Sequence, residues 1–465
     1  MTPRVRTAVG VGAISAAGTV VAPVPALAHG LGGRQDLPVP VEYFVGGASI
    51  VLVVSFVALA VLWTEPRWQT PLPPRPLTGG WSRAVRTGGA ALGLAGLVLV
   101  VATGLLGIDN PSRNPAAVTV FVGFWLIVPF LSAVVGDIYP LIDPWRRLIR
   151  WTGLGDHPRT SSTMGAGHQL AVAAFLAFTF LELVAPDAGP RNLAIAAILY
   201  TGYLLLTADW AGRDMPAISY DGFAYYNHLL GAIGPIDFTA DPPHWRGWLR
   251  GLTTVSERPG LVVMVVAMIG TVSYDASATV WWEETITKPI HTAFSEGYGL
   301  SRTIADIIAG TFGLLGVTAL IGVGYLLASG LAARLGGPGY TARGVATRFA
   351  HTLVPIAFAY AFAHYFTLIV FEGQYLISTI SDPLGRGWDL FGTADRRIDF
   401  TLINPTAVWW TQVATIVGVH VAGVVLAHDR ALADFPQTTA VKSQYAMLGL
   451  MVVLTGLGLV ILSAG

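Results

Sequence analysis

This chain of 465 residues predicts an all-α, polytopic bundle of about ten transmembrane helices after an N-terminal signal segment. Three observations predict it. Apolar residues make up 53% of the chain and charged residues only 12%, with a mean hydropathy of +0.61, a balance foreign to soluble domains of this length. About eleven apolar stretches divide the sequence, each near the ~20 residues that carry a helix across a bilayer. Lys and Arg crowd into every second gap between them, as the positive-inside rule requires of cytoplasmic gaps.

The first 28 residues read as a signal peptide. Arg4 and Arg6 form a basic start, Val9 to Val21 is the apolar run, and Ala26-Leu27-Ala28 fits a small-residue cleavage site. An uncleaved first helix would equally send residue 29 onward to the outer face. From there, 29–465 reads as a single transmembrane domain. Its spans fall near 43–63, 88–107, 117–138, 167–185, 193–209, 259–280, 303–328, 349–378, 408–427 and 445–463. The gaps assigned to the cytoplasm hold 17 Lys and Arg against 8 in the outer gaps. That bias places the protein in the plasma membrane with its mature N-terminus outside. The cytoplasmic gap 210–257 is the longest, and its aromatic and Gly-rich part from Tyr220 to Ile236 reads as an interfacial or re-entrant piece. The outer gaps 281–302 and 379–407 are long enough to form small lids.

Lys plus Arg and Asp plus Glu number 27 each, so no net charge points to nucleic acid, and the absence of cysteine excludes thiolate metal sites and cysteine nucleophiles. Chemistry therefore falls to ten histidines and the carboxylates. Two echoes hint at an internal duplication: Asn114-Pro115 and Asn404-Pro405, each opening a helix, and Asp143-Pro144-Trp145-Arg146 beside Asp241-Pro242-Pro243-His244-Trp245-Arg246. Asn-Pro is by itself a good helix-opening signal, and the segment 136–147, broken by its Asp and Pro residues, most simply ends a helix.

Ionisable groups inside a span are costly, so each is a functional candidate. His364 lies deep in a span, with Tyr360 one turn before it and Glu372 two turns after. His420 sits near the middle of the next, antiparallel span, so the two imidazoles are placed to face each other. Asp275, Glu182, Asp306 and Glu372 gather near the outer surface, with Glu283, Glu284, His291 and Glu296 on the gap above. Such donors suit a divalent metal ion (Zn, Mn, Fe or Cu) able to lower the pKa of a bound water. Equally, a histidine in a bundle can be a satisfied donor to a neighbouring helix. Haem is disfavoured, because His351 and His364 stand about 140° apart around their helix with about 20 Å of rise. His29 would become the new N-terminus, where an amine beside an imidazole chelates copper. Pro355, between His351 and His364, predicts a kink. No phosphate-binding loop, dinucleotide fingerprint, HExxH or nucleophile elbow is present.

Several segments together carry a resemblance. They are Ala28-His29-Gly30-Leu31-Gly32-Gly33-Arg34, Asp143-Pro144-Trp145-Arg146, Asp221-Gly222-Phe223-Ala224-Tyr225, His364-Tyr365-Phe366, Glu372-Gly373-Gln374 and Ser381-Asp382-Pro383-Leu384-Gly385-Arg386-Gly387-Trp388. The chain resembles, from about residue 28 to its last span, a family of polytopic actinobacterial membrane proteins of which some are labelled fenitrothion hydrolase. The resemblance implies hydrolysis of an organophosphotriester. Two functions are thus expected. One is a membrane-embedded, metal-assisted hydrolase of hydrophobic esters, with His364, His420 and His29 as metal ligands and Glu372 or Asp275 as ligand or base. The other is an ion- or proton-coupled transporter using the same buried groups. Either acts on a hydrophobic small molecule or an ion reached from the lipid bilayer.

Overall fold

A computed structural model describes residues 40–464 except 71, 74, 78–81, 158–166, 187, 213–214, 241 and 278–284. The signal segment, His29, Glu283 and Glu284 lie outside the described residues. In chain order the long elements are α1 (Val41–Leu62), α2 (Ala84–Leu106) and α3 (Pro115–Val135), followed by α4 (Gln169–Leu183), α5 (Pro190–Ala211) and α6 (Gly222–Gly231). Then come α7 (Leu261–Ser277), α8 (Arg302–Gly336), α9 (Ala342–Thr379), α10 (Pro405–Asp434) and α11 (Ala440–Ser463). All but α4, α6 and α7 are long and apolar enough to cross a membrane, eight helices in all among the described residues. Every predicted span falls on one of these helices, with α4 and α7 as shorter members of 15 and 17 residues.

Burial sets α7 apart from the outer helices. Of its residues, Met264 to Tyr274 form an unbroken buried run, the sign of a helix surrounded by others rather than by solvent or lipid. It packs on α8 and α9. The approach to α8 is close enough that a Cβ on Gly270 would lie 2.6 Å from the Thr318 Cα. The outer members carry the opposite pattern. α1 exposes Ile50, Val54, Val57 and Val61, and α8 exposes Phe312, Leu315, Leu320 and Leu327. Such apolar faces fit a lipid surround, where backbone polar groups are satisfied within each helix.

Local chemistry sets the irregularities. Asn114 and Asn404 cap α3 and α10 by accepting from Ala116 N and Ala407 N, with Pro at the next position in each, so the helix-opening reading holds. In α3 the segment Thr119–Ile127 is π-helical. Pro129 follows it, and a proline removes the N–H that would bond back to Trp125. In α9, a 3-10 turn, Ala350–Leu353, precedes Val354–Phe371. Pro355 therefore sits at the start of an α-helical run, where its missing N–H costs least, and not in mid-helix as the predicted kink supposed.

The segment 136–147 ends a helix as expected, since α3 stops at Val135 with Gly136 as its C-cap, but Asp143 within it opens another: it caps Pro144–Thr152 by accepting from Trp145 N at 2.9 Å and Arg146 N at 3.1 Å. Its sequence echo has a different structure, since His244–Trp245 is a two-residue strand between Arg75–Pro76 and Ile236–Asp237, antiparallel to both. Of the two readings of 220–236, burial overturns the amphipathic interfacial one and leaves the re-entrant one open. All of α6 except His228 is buried, because Gly222 lets it meet α4 (a Cβ there would lie 2.6 Å from Phe175 N) and Gly231 lets it meet Asp137.

Candidate functional site

Three helices bring chemistry together in the half of the bundle away from the basic gaps. α4, α7 and α9 all run from the basic end, and Glu182 and Asp275 stand in the last turns of α4 and α7. The site is centred on Asp275. His364 Nε2 lies 2.9 Å from Asp275 Oδ2, and the Tyr365 hydroxyl donates to the same oxygen at 2.7 Å. The side chains of His364 and Asp275 are 11% and 14% exposed, so the pair is removed from bulk water. In such surroundings a carboxylate and an imidazole favour each other's charged forms, and losing either partner strands the other.

Glu182 belongs to the same neighbourhood. It stands within electrostatic reach of Asp275 and beside Trp125, while Tyr226 of α6 and Tyr365 of α9 both feel its charge. The π-helical part of α3 carries Trp125, whose ring stacks on Tyr226 with centroids 5.0 Å apart. π-Helical turns are found disproportionately at functional positions.

The sequence-predicted residues divide. Asp275 and His364 meet. His420 does not join them: its Nδ1 bonds to Ile416 O of its own helix at 2.7 Å, and its ring packs near Tyr360. The Tyr360 hydroxyl in turn donates to Leu454 O on α11. The facing pair of imidazoles is thus replaced by a His–Asp pair, because α9 turns His364 toward α7 and presents Tyr360 to His420. Glu372 falls in the 3-10 turn that follows Phe371, half-buried and beyond the pair. His291 and Asp306 pair with each other, 3.3 Å apart. Among the described residues no three His, Asp or Glu side chains converge as a metal-binding group. Tyr365, Trp125 and Tyr226 were not legible as site residues, although Tyr365 adjoins His364 in sequence.

A second polar centre lies toward the basic end. Asp221 caps α6 by accepting from Phe223 N and Ala224 N, and it also accepts from the hydroxyls of Tyr139 at 3.1 Å and Tyr200 at 2.7 Å. Burial holds its carboxyl above the usual range against all four donors. Burial, and then the nearness of Asp221, pushes Asp143 up to about 7. Burial and the same carboxylates raise the Tyr139 phenol.

Compared with family models, curated proteins and solved structures, the chain matches none. Its chemistry is therefore argued from these residues alone.

Proposed function

We propose that this protein is a multi-pass plasma-membrane transporter that couples the movement of a small apolar molecule or an ion to protons. The contact between His364 Nε2 and Asp275 Oδ2 carries the reading. An imidazole–carboxylate pair in a membrane interior is costly to keep, and groups of this kind serve as proton relays in pumps and transporters. His364 supplies an imidazole, a group that can be neutral or charged, and Asp275 lies where it can compensate the charge. The mature N-terminus lies outside, following the basic bias, which puts the pair in the outer half of the bilayer.

The test is flux. In proteoliposomes a pH gradient should drive substrate uptake or proton movement, and His364→Ala should reduce it at least tenfold with the helical signal intact. Flux in His364→Ala equal to that of the unsubstituted protein sinks the proposal.

Ester hydrolysis remains the second reading, favoured by the same pair, since a carboxylate-oriented imidazole is the usual general base. It differs in its readout: His364→Ala would then lose cleavage of an organophosphotriester by detergent-solubilised protein, where no gradient exists. Metal assistance would show as a metal ion retained through purification and lost in His364→Ala.

A further inference from the structure

The short helix Pro144–Thr152 divides cleanly around its axis. At about 100° per residue, Arg146, Arg150, Arg147 and Trp151 fall within an arc of about 140°, and Trp145, Leu148 and Ile149 fall on the other side. The apolar side is the docked one. Trp145 is buried and its Nε1 donates to Thr201 Oγ1 of α5 at 2.9 Å, while Leu148 and Ile149 pack against the core. On the other side Arg146 and Arg150 are exposed, Arg147 is half-buried and Trp151 is 68% exposed. The helix crosses the basic ends of two spans. Arg147 Nη2 donates to Arg86 O in the first turn of α2 at 3.2 Å. The turn after Thr152 meets the last turn of α5, where a Cβ on Gly155 would lie 2.6 Å from Ala208 O. At span ends apolar side chains give way to lipid headgroups.

The three arginines stand without acids. Asp143, at the head of the same helix, is turned to the backbone N–H groups of Trp145 and Arg146. Asp209 of α5 lies 3.9 Å from His157, and Asp156 is exposed beyond the end of the helix. Among the described residues none of the three arginines meets a carboxylate in an ion pair; their side-chain bonds run to the backbone oxygens of Arg86 and Arg146. A guanidinium has several N–H donors, so one such bond leaves its fork able to grip another acceptor. Arg146 and Arg150 are also four residues apart, a spacing at which like charges repel. An anion held among them removes that repulsion.

We propose that this face is a binding site for an anionic phospholipid of the adjoining leaflet, with Arg146, Arg147 and Arg150 on the headgroup phosphate and Trp151 among the glycerol and upper acyl carbons. Arginine meets phosphate oxygens through paired N–H groups. Each cation held near an anionic membrane surface adds to binding, and Trp favours the headgroup level. The exposed apolar side chains of α5, Leu199, Leu206 and Trp210, continue the lipid-facing surface beside the helix.

Native mass spectrometry of the purified full-length protein, titrated in detergent with phosphatidylglycerol or phosphatidylcholine, tests this without measuring transport. Phosphatidylglycerol should be retained in preference, and changing Arg146, Arg147 and Arg150 together to Gln should weaken its binding about tenfold or more. Equal retention of the two lipids, or a triple variant that binds like the unsubstituted protein, overturns the proposal. So does an equal loss in Arg343→Gln, an exposed arginine at the opening of α9, which would assign the binding to diffuse surface charge. Inorganic phosphate that raises the thermal midpoint as much as phosphatidylglycerol would make the ligand a free phosphate and overturn the lipid. Should the triple variant fail to fold, Arg150→Gln alone decides, with a smaller loss in the same direction expected. Because the chain has no cysteine, a fluorophore on Trp151→Cys reads depth directly. Brominated acyl chains should quench it more than aqueous iodide does, and the reverse order counts against the site.

Discussion

Two acids, Asp429 fully buried and Asp275 14% exposed, sit toward opposite ends of the same bundle and are served very differently. Asp429 is fully buried near the end of α10 and accepts from Trp63 Nε1 at 3.2 Å, Arg67 N at 2.6 Å, Trp68 N at 3.2 Å and Gln69 Nε2 at 2.8 Å. Its neighbour His428 holds Trp63 O and Gln444 Oε1. Main-chain donors of the α1–α2 connection, fixed by backbone geometry, thus hold both carboxylate oxygens. The contacts described for Asp275 are instead with the side chains of His364 and Tyr365, which can change rotamer. Burial alone does not separate a structural acid from a working one. What separates them is whether the partners can change.

Substitutions should divide along that line. The largest stability loss is expected at Asp429→Ala, which leaves several buried donors without an acceptor and should cost on the order of 3–5 kcal/mol, read as a lowered thermal midpoint in detergent. If Asp429→Ala melts like the unsubstituted protein, the contrast fails. Asp275→Asn should do the reverse. The amide oxygen can still accept from Tyr365, so stability should change by only about 1–2 kcal/mol, while proton-coupled flux falls at least tenfold. A stability loss as large as that of Asp429→Ala would make Asp275 structural too.

Packing around α6 supplies a third test. Gly222→Ala would push a methyl against Ala171 O and Phe175 N, and overpacking of this kind costs about 1–3 kcal/mol. The same substitution at Gly202, where a Cβ would meet nothing within 4 Å, should be neutral or slightly stabilising.

The smallest effect is one of pH. Asp143 moves from 3.8 in the unfolded chain to about 7 in the native one. The native state therefore binds more protons than the unfolded state between those values, and stability falls as pH rises through that window. Asp143→Asn keeps the helix cap, since Asn caps about as well as Asp, and should flatten the slope of thermal midpoint against pH from about 4 to 7. An unaltered slope would assign the pH dependence to Asp221 or to another group.

How much of this was legible follows from which signals are local. A run of about 20 apolar residues is a helix in lipid whatever surrounds it, because an unsatisfied backbone has no alternative there. The spans, the Asn114 and Asn404 caps and the polytopic all-α class could therefore be read from the chain. His364 and Asp275 could be read as candidates too, since any ionisable residue in a span stands out. Partners were not. Whether α9 turns His364 toward α7 or toward His420 depends on helix rotation, and rotation is set by close contacts such as Gly270 against Thr318, not by composition. The burial of 220–236 was missed for the same reason: aromatic and glycine residues read as interfacial by type, yet Gly222 and Gly231 let the segment sink between helices.

The sequence by itself determined the all-α, multi-pass class and the places of the apolar helices, because these follow from hydrophobic length and residue type. The tertiary structure alone decided that Asp275 meets His364 and Tyr365 and that His420 faces elsewhere. Those outcomes depend on distances between helices far apart in the chain, and such distances are fixed only when the whole bundle packs.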